Sequence, residues 1–239
     1  MRKLISLLLL LALAFGVIVA FSSGSIGAQT AKTEGRIGEE NVNFGRRYNN
    51  QGMEETGASN IVSSVVITYR GFDTLGEVTV LFIAALGLSL LLHNRGKQQP
   101  QTAKEPASLI VFSGCRFLFP LILLFGAYIF VHGHLTPGGG FQGGAIIASG
   151  FLLIYLGCRG KTVRTGALRT VESLSGLFFV LVGLMGLIAA SSFLFNFLPK
   201  GSPYALFSAG VIPVIYVFIG LKVGSELAGV IANLAGEEK

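Results

Sequence analysis

The sequence predicts an all-α integral membrane protein of about six transmembrane helices, two of them joined by a glycine-rich connection. Three observations predict it. The 239 residues are 51% hydrophobic with mean hydropathy +0.69, and only 13% are charged. A soluble domain carries about 25% charged residues to dress its surface. The apolar residues fall in runs long enough to cross a bilayer, and the basic residues cluster at the ends of those runs.

The first run, Leu4 to Phe21, follows Arg2 and Lys3 and is broken only by Ser6. No A-x-A cleavage pattern follows, so it reads as a retained helix rather than a signal peptide. Ser22 to Asn60 is polar and reads as an external loop. Ile61 to Leu92 is too long for one upright span, since 32 residues of helix reach about 48 Å against a hydrocarbon core of about 30 Å. The helix is therefore strongly tilted, or it breaks near Gly71 and leaves Thr74 to Leu92 as the span. His93 to Pro106 is a polar linker. Further runs follow at Ala107 to Val131, Phe141 to Gly157, Val171 to Phe197 and Tyr204 to about Leu221. The chain thus divides into residues 1–92 (first helix, external loop and a helix with an acidic motif), a cytoplasmic linker at 93–106, and a four-helix domain at 107–239.

Net charge is +6, yet the basic residues form no patch or arm, which argues against nucleic acid as a partner. With the N-terminus in the cytoplasm, the inner segments collect Arg2, Lys3, Arg95, Lys97, Lys104, Arg159, Lys161, Arg164, Arg169 and Lys239. The short outer loops hold only Lys200. Positive charge is retained inside, so both termini are expected to be cytoplasmic. Cys115 and Cys158 have no C-x-x-C or histidine spacing, and no metal site is expected.

Two motifs stand out. In Tyr69-Arg70-Gly71-Phe72-Asp73-Thr74-Leu75-Gly76-Glu77, the residues Arg70, Asp73 and Glu77 share one helix face. Ionisable groups at membrane depth are costly and tend to face an interior or a hydrated cavity, so this face is a candidate path for protons or a hydrated cation. The plainer alternative is a salt-bridged helix start at the outer interface. Arg116 reads as a residue snorkelling to the inner interface. The second motif runs from His132 and His134 through Pro137, Gly138, Gly139, Gly140, Phe141, Gly143 and Gly144. Pro137 stops a helix, and the glycines permit positive φ and close approach, so the segment reads as a tight re-entry between two helices. His132 and His134 supply a possible polar pathway, but they point to different faces of any helix and do not suit haem. Glu172 reads as a helix-start carboxylate, and Lys222 with Glu226 as a cap or interfacial pair near the inner end of the last run. Neither G-x-S-x-G nor H-E-x-x-H occurs, so no catalysis is expected of this chain.

Residues Gly52 to Asn60, continuing through the Arg70 to Glu77 motif to Leu92, resemble the C-terminal part of the large subunit of Mrp-type sodium/proton antiporters. They also resemble a small subunit of archaeal membrane-bound hydrogenases. Residues from about Ser108 to Glu226, centred on Pro137 to Gly144, resemble the antiporter B subunit. The antiporter pattern keeps these pieces on separate chains, whereas here they are joined. The resemblance implies a fused subunit of a redox-driven relative, a hydrogenase or a sulfur-reducing complex, in which other membrane subunits are partners and carry the iron–sulfur chemistry. It further implies Asp73 and Glu77 in ion translocation, Pro137, Gly139 and Phe141 in the glycine motif, no cofactor in this chain, and Na+ and H+ as the ions moved.

Overall fold

The computed structural model describes residues 34–37, 40–93, 108–158, 165–190 and 193–234. The Leu4 to Phe21 run, most of the linker and the basic cluster after Cys158 lie outside them. Two compact units are present, residues 1–51 and 52–239.

In the first unit, β1 (Glu34–Ile37) pairs antiparallel with β2 (Glu40–Asn43), Ile37 opposite Glu40. Helix α1 (Phe44–Thr56) begins there and runs into the second unit. The segment expected as plain loop is thus partly ordered. At its far end, the Gly57 N–H donates to Met53 O (2.8 Å) with φ +78°, a left-handed residue that stops the helix.

Asn60 starts the next turn by accepting from Val62 N (3.1 Å). A short helix, Ile61–Ser63, leads into a π-helical turn, Ser64–Tyr69. The expected break falls at Arg70, where φ is −126° and ψ 39°. Helix α2 (Gly71–His93) follows. Thr74, buried at its start, donates to Val66 O (2.8 Å) and so ties the π turn to α2.

Helices α3 (Leu109–Val131) and α4 (Gly140–Gly157) match their expected runs closely. The last two helices do not. Helix α5 is Thr165–Ala190 rather than 171–197, and α6 is Ile212–Leu234 rather than 204–221. Residues 193–211 are non-helical despite their apolar sequence, with positive φ at Leu194, Gly201, Tyr204, Ala209 and Gly210. Asn196 satisfies their backbone: Nδ2 donates to Thr56 O (3.1 Å) and Ala209 O (3.2 Å), and Oδ1 accepts from Val211 N (2.9 Å). Pro213, in the first turn of α6, suits a helix start because no N–H is needed there.

Among the described residues, five helices are long and apolar enough to cross a membrane. Helix α6 is the central post and α2 a peripheral one, since 56% of the first span is buried against 6% of the second. The core joins Ile67, Val78, Phe179 and Leu194 to Ile212, Ile215, Ile219 and Val223 of α6.

Helix α4 is wedged between α3 and α6 by glycine. A Cβ on Gly144 would stand 2.8 Å from Val223 Cβ and 2.9 Å from Gly220 O, and one on Gly143 2.6 Å from Gly126 O. Helix backbones meet this closely in membranes only where side chains are absent.

Candidate functional site

The segment before the acidic motif and the glycine-rich connection meet at one end of the bundle. The carbonyl of Gly133 accepts from Asn60 Nδ2 (2.8 Å) and from the Ser63 hydroxyl (2.7 Å). Tyr216 of α6 donates its hydroxyl to Ser63 Oγ (2.7 Å), and Asn60 N donates to His134 O (3.0 Å). Thr56 and Ser64 hydroxyls join at 2.7 Å beside them. The segment before α2 therefore clamps the turn between α3 and α4. Ser63 and Tyr216 carry no signal in sequence, because their partners lie 70 or more positions away.

Within the glycine-rich motif, Gly139 has φ +151° and precedes α4, which starts at Gly140. A side chain at Gly139 would meet Gln142 Oε1 at 2.9 Å and the Tyr216 ring at 3.3 Å. Phe141 packs against the core and Gly144 against α6. We expect Gly139→Val to loosen subunit association more than Gly139→Ala, and both more than Gln142→Ala, on native electrophoresis. A β-branched side chain is barred at this φ, whereas Gln142 only loses polar atoms.

His132 and His134 sit in different surroundings. His132 stacks on Tyr128 (4.2 Å between centroids), with Nδ1 3.1 Å from Tyr128 O. His134 is fully buried. Burial holds its imidazole below the ordinary histidine value, against the opposing pull of the Ala205 and Leu206 backbone.

At the start of α2, Arg70 Nη2 lies 2.6 Å from Asp73 Oδ2, and these side chains are 63% and 50% exposed. Glu77, one turn further in, is exposed as well. The acidic face points out of this chain, not into its interior. The buried face of the same turn is Thr74 and Val78. Two carboxylates on the open side of a membrane-length helix call for a protein neighbour or water, because lipid cannot solvate them.

A second ionic site lies deeper. Lys222 Nζ and Glu226 Oε2 are 2.8 Å apart, with the side chains 10% and 1% exposed. The expectation of a cap or interfacial pair is corrected: α6 continues to Leu234, so Lys222 stands ten residues from one end and twelve from the other, about 15 and 18 Å. The pair is at mid-span. Glu172 is also displaced from its expected place, because α5 begins seven residues earlier at Thr165. It lines an open cleft of about 230 Å³ between α2 and α5, together with Leu75, Thr79, Phe82, Gly176 and Lys222. The legible signal is the four-residue spacing of Lys222 and Glu226 in a run that stays apolar beyond them. Arg116 is exposed on α3, 5.5 Å over the Phe112 ring.

A family model described as a domain related to the MnhB subunit of Na+/H+ antiporter matches residues 110–229. The chain belongs to this MnhB-related antiporter family. A second family model, MbhE of the MBH complex, matches residues 7–107. In the solved structure of an archaeal membrane-bound sulfane sulfur reductase, a respiratory membrane complex, one chain is 42% identical. It superposes with TM-score 0.73 over 98% of each chain. A chain of the Mrp complex from Dietzia sp. is 28% identical with TM-score 0.67, over 96% of this chain and 26% of that one. An uncharacterized protein of Methanocaldococcus jannaschii is 33% identical over 195 residues, 71% of this MnhB-related chain and 74% of its own length. The MnhB-related chain is thus a multi-pass membrane protein of Mrp antiporter type, and both motifs fall within its family matches.

Proposed function

We propose that this chain is a membrane-arm subunit of a sodium/proton antiporter module coupled to a redox complex, of the kind that reduces sulfane sulfur. The observation that carries the reading is the end-to-end likeness to a single chain of the sulfane sulfur reductase, together with family matches to both parts of this one polypeptide, MbhE at 7–107 and MnhB-related at 110–229. The chain carries no cofactor and no catalysis of its own. Electron transfer belongs to partner subunits, and Na+ and H+ are the ions moved. Arg70, Asp73 and Glu77 supply the chain's side of an ion path completed by a neighbouring subunit, which fits their exposure in this chain alone. Extraction of the complex in mild detergent tests this: antiporter subunits and a redox arm should co-purify with the chain. Recovery with antiporter subunits alone would leave a stand-alone antiporter.

The distribution of basic residues supports a cytoplasmic position for both termini and the 93–106 linker. Gln99→Cys and Ser202→Cys, each in a Cys115→Ala/Cys158→Ala background, should react with an impermeant thiol reagent from opposite sides of the membrane. Reaction of both from one side would refute the topology.

A further inference from the structure

We propose that Lys222 and Glu226 form a proton-exchange site at mid-membrane, reached through the cleft between α2 and α5 and served by Glu172. Its use in transport rests on the antiporter reading above; its chemistry does not. Glu226 gives one oxygen to Lys222 at 2.8 Å, while Oε1 is buried and accepts no hydrogen bond among the described residues. A buried carboxylate oxygen without a donor is costly, and a proton removes that cost.

The surroundings favour a proton over a metal cation. Sodium needs a shell of several oxygens. The Ser225 and Ser175 hydroxyls are each turned back onto carbonyls of their own helices, Leu221 O and Val171 O at 2.6 Å. The α4 face against α6 presents Gly144 and Ile147, which cannot titrate. From α2 come Thr79 and Phe82, while the exposed Asp73 and Glu77 line no part of the cleft. From α3, Phe130 packs on Gly220. Among the described residues, α5 brings a second carboxylate, Glu172, to the cleft that Lys222 also lines.

The exchange balances in one proton. A hydronium ion entering the cleft gives its proton to Glu172 and leaves as water, the proton passes on through water between the two carboxyls to Glu226, and Glu172 returns to the form in which it began. Glu226, now neutral, no longer holds Lys222. The freed ammonium has two places to go: the Phe82 ring, whose centroid is 5.2 Å away, and the Glu172 carboxylate across the cleft. Deprotonation restores the pair. A static ion pair that merely fixes helix register would do none of this.

A hydrophobic carbodiimide, which attacks only protonated carboxyls, distinguishes the two in the intact complex. The Glu226 peptide should carry the reagent by mass spectrometry, more at lower pH, and Glu226→Gln should abolish it. No labelling of Glu226 at any pH would overturn the proposal. As a second arm, Glu172→Gln should assemble normally and slow proton movement on the order of 100-fold. Unchanged movement would overturn the role of Glu172 and with it the proposal. Labelling at Glu226 in a wild-type complex that moves no ions would uphold the site and refute the antiport reading instead.

Discussion

Lys222→Met is expected to loosen the chain from its complex, most at alkaline pH, where no proton replaces the lost cation at Glu226. The substitution leaves the Glu226 carboxylate almost wholly buried without its cation, fourteen residues from the start of α6 and eight from its end. Breaking a buried pair in this way costs about 3–5 kcal/mol. The double variant Lys222→Met/Glu226→Met should assemble again, because two apolar side chains of similar volume replace two charges that neutralised each other. Blue-native electrophoresis of detergent-extracted membranes reads both. Normal assembly of the single variant would mean that Glu226 does not need its partner.

Gly144→Val should be as damaging for a steric reason. The added Cβ alone would stand 2.8 Å from Val223 Cβ, 2.9 Å from Gly220 O and 2.9 Å from Gly224 N. Two of these three are backbone atoms of the central helix, and no rotamer change moves them. Helix α4 would have to withdraw from α6, which also carries Tyr216 and its bond to Ser63. Overpacking a tight contact costs about 1–3 kcal/mol and more where the backbone cannot yield. Gly114→Val is the control, since nothing lies within 4 Å of that position in this chain and it stands on α3, outside both motifs. Thermal stability of the extracted complex should fall for Gly144→Val. An unaltered melting temperature would mean the α4–α6 contact is looser than described.

Hydropathy locates α3 and α4 almost to the residue because polar or glycine-rich segments flank both. The overlong run that contains α2 leaves a strong tilt and a break near Gly71 both open, and the chain takes the break, at Arg70. Hydropathy misplaces α5 and α6, since Phe193, Leu194, Phe195 and Phe197 look like helix but fold back as irregular chain. That stretch is held by Asn196, whose partners Thr56 and Ala209 cannot be inferred from local sequence. The same error hides the mid-span position of Lys222 and Glu226. With α6 ended at Leu221, the two charges fall at its tip and take on an interfacial meaning. The acidic motif is visible as a motif, but not its outward direction, which depends on the packing of Thr74 and Val78 against the bundle.

Sodium-dependent proton movement, driven by electron transfer in vesicles that hold the intact complex, is the most direct test of an ion-path role for this chain. Asp73→Asn and Glu77→Gln keep side-chain size and much of the hydrogen bonding but lose the charge and the titratable proton. With the complex still assembled and still passing electrons, each variant should lose coupled ion movement. Wild-type ion movement in both would contradict the reading and return Arg70, Asp73 and Glu77 to the role of a salt-bridged helix start.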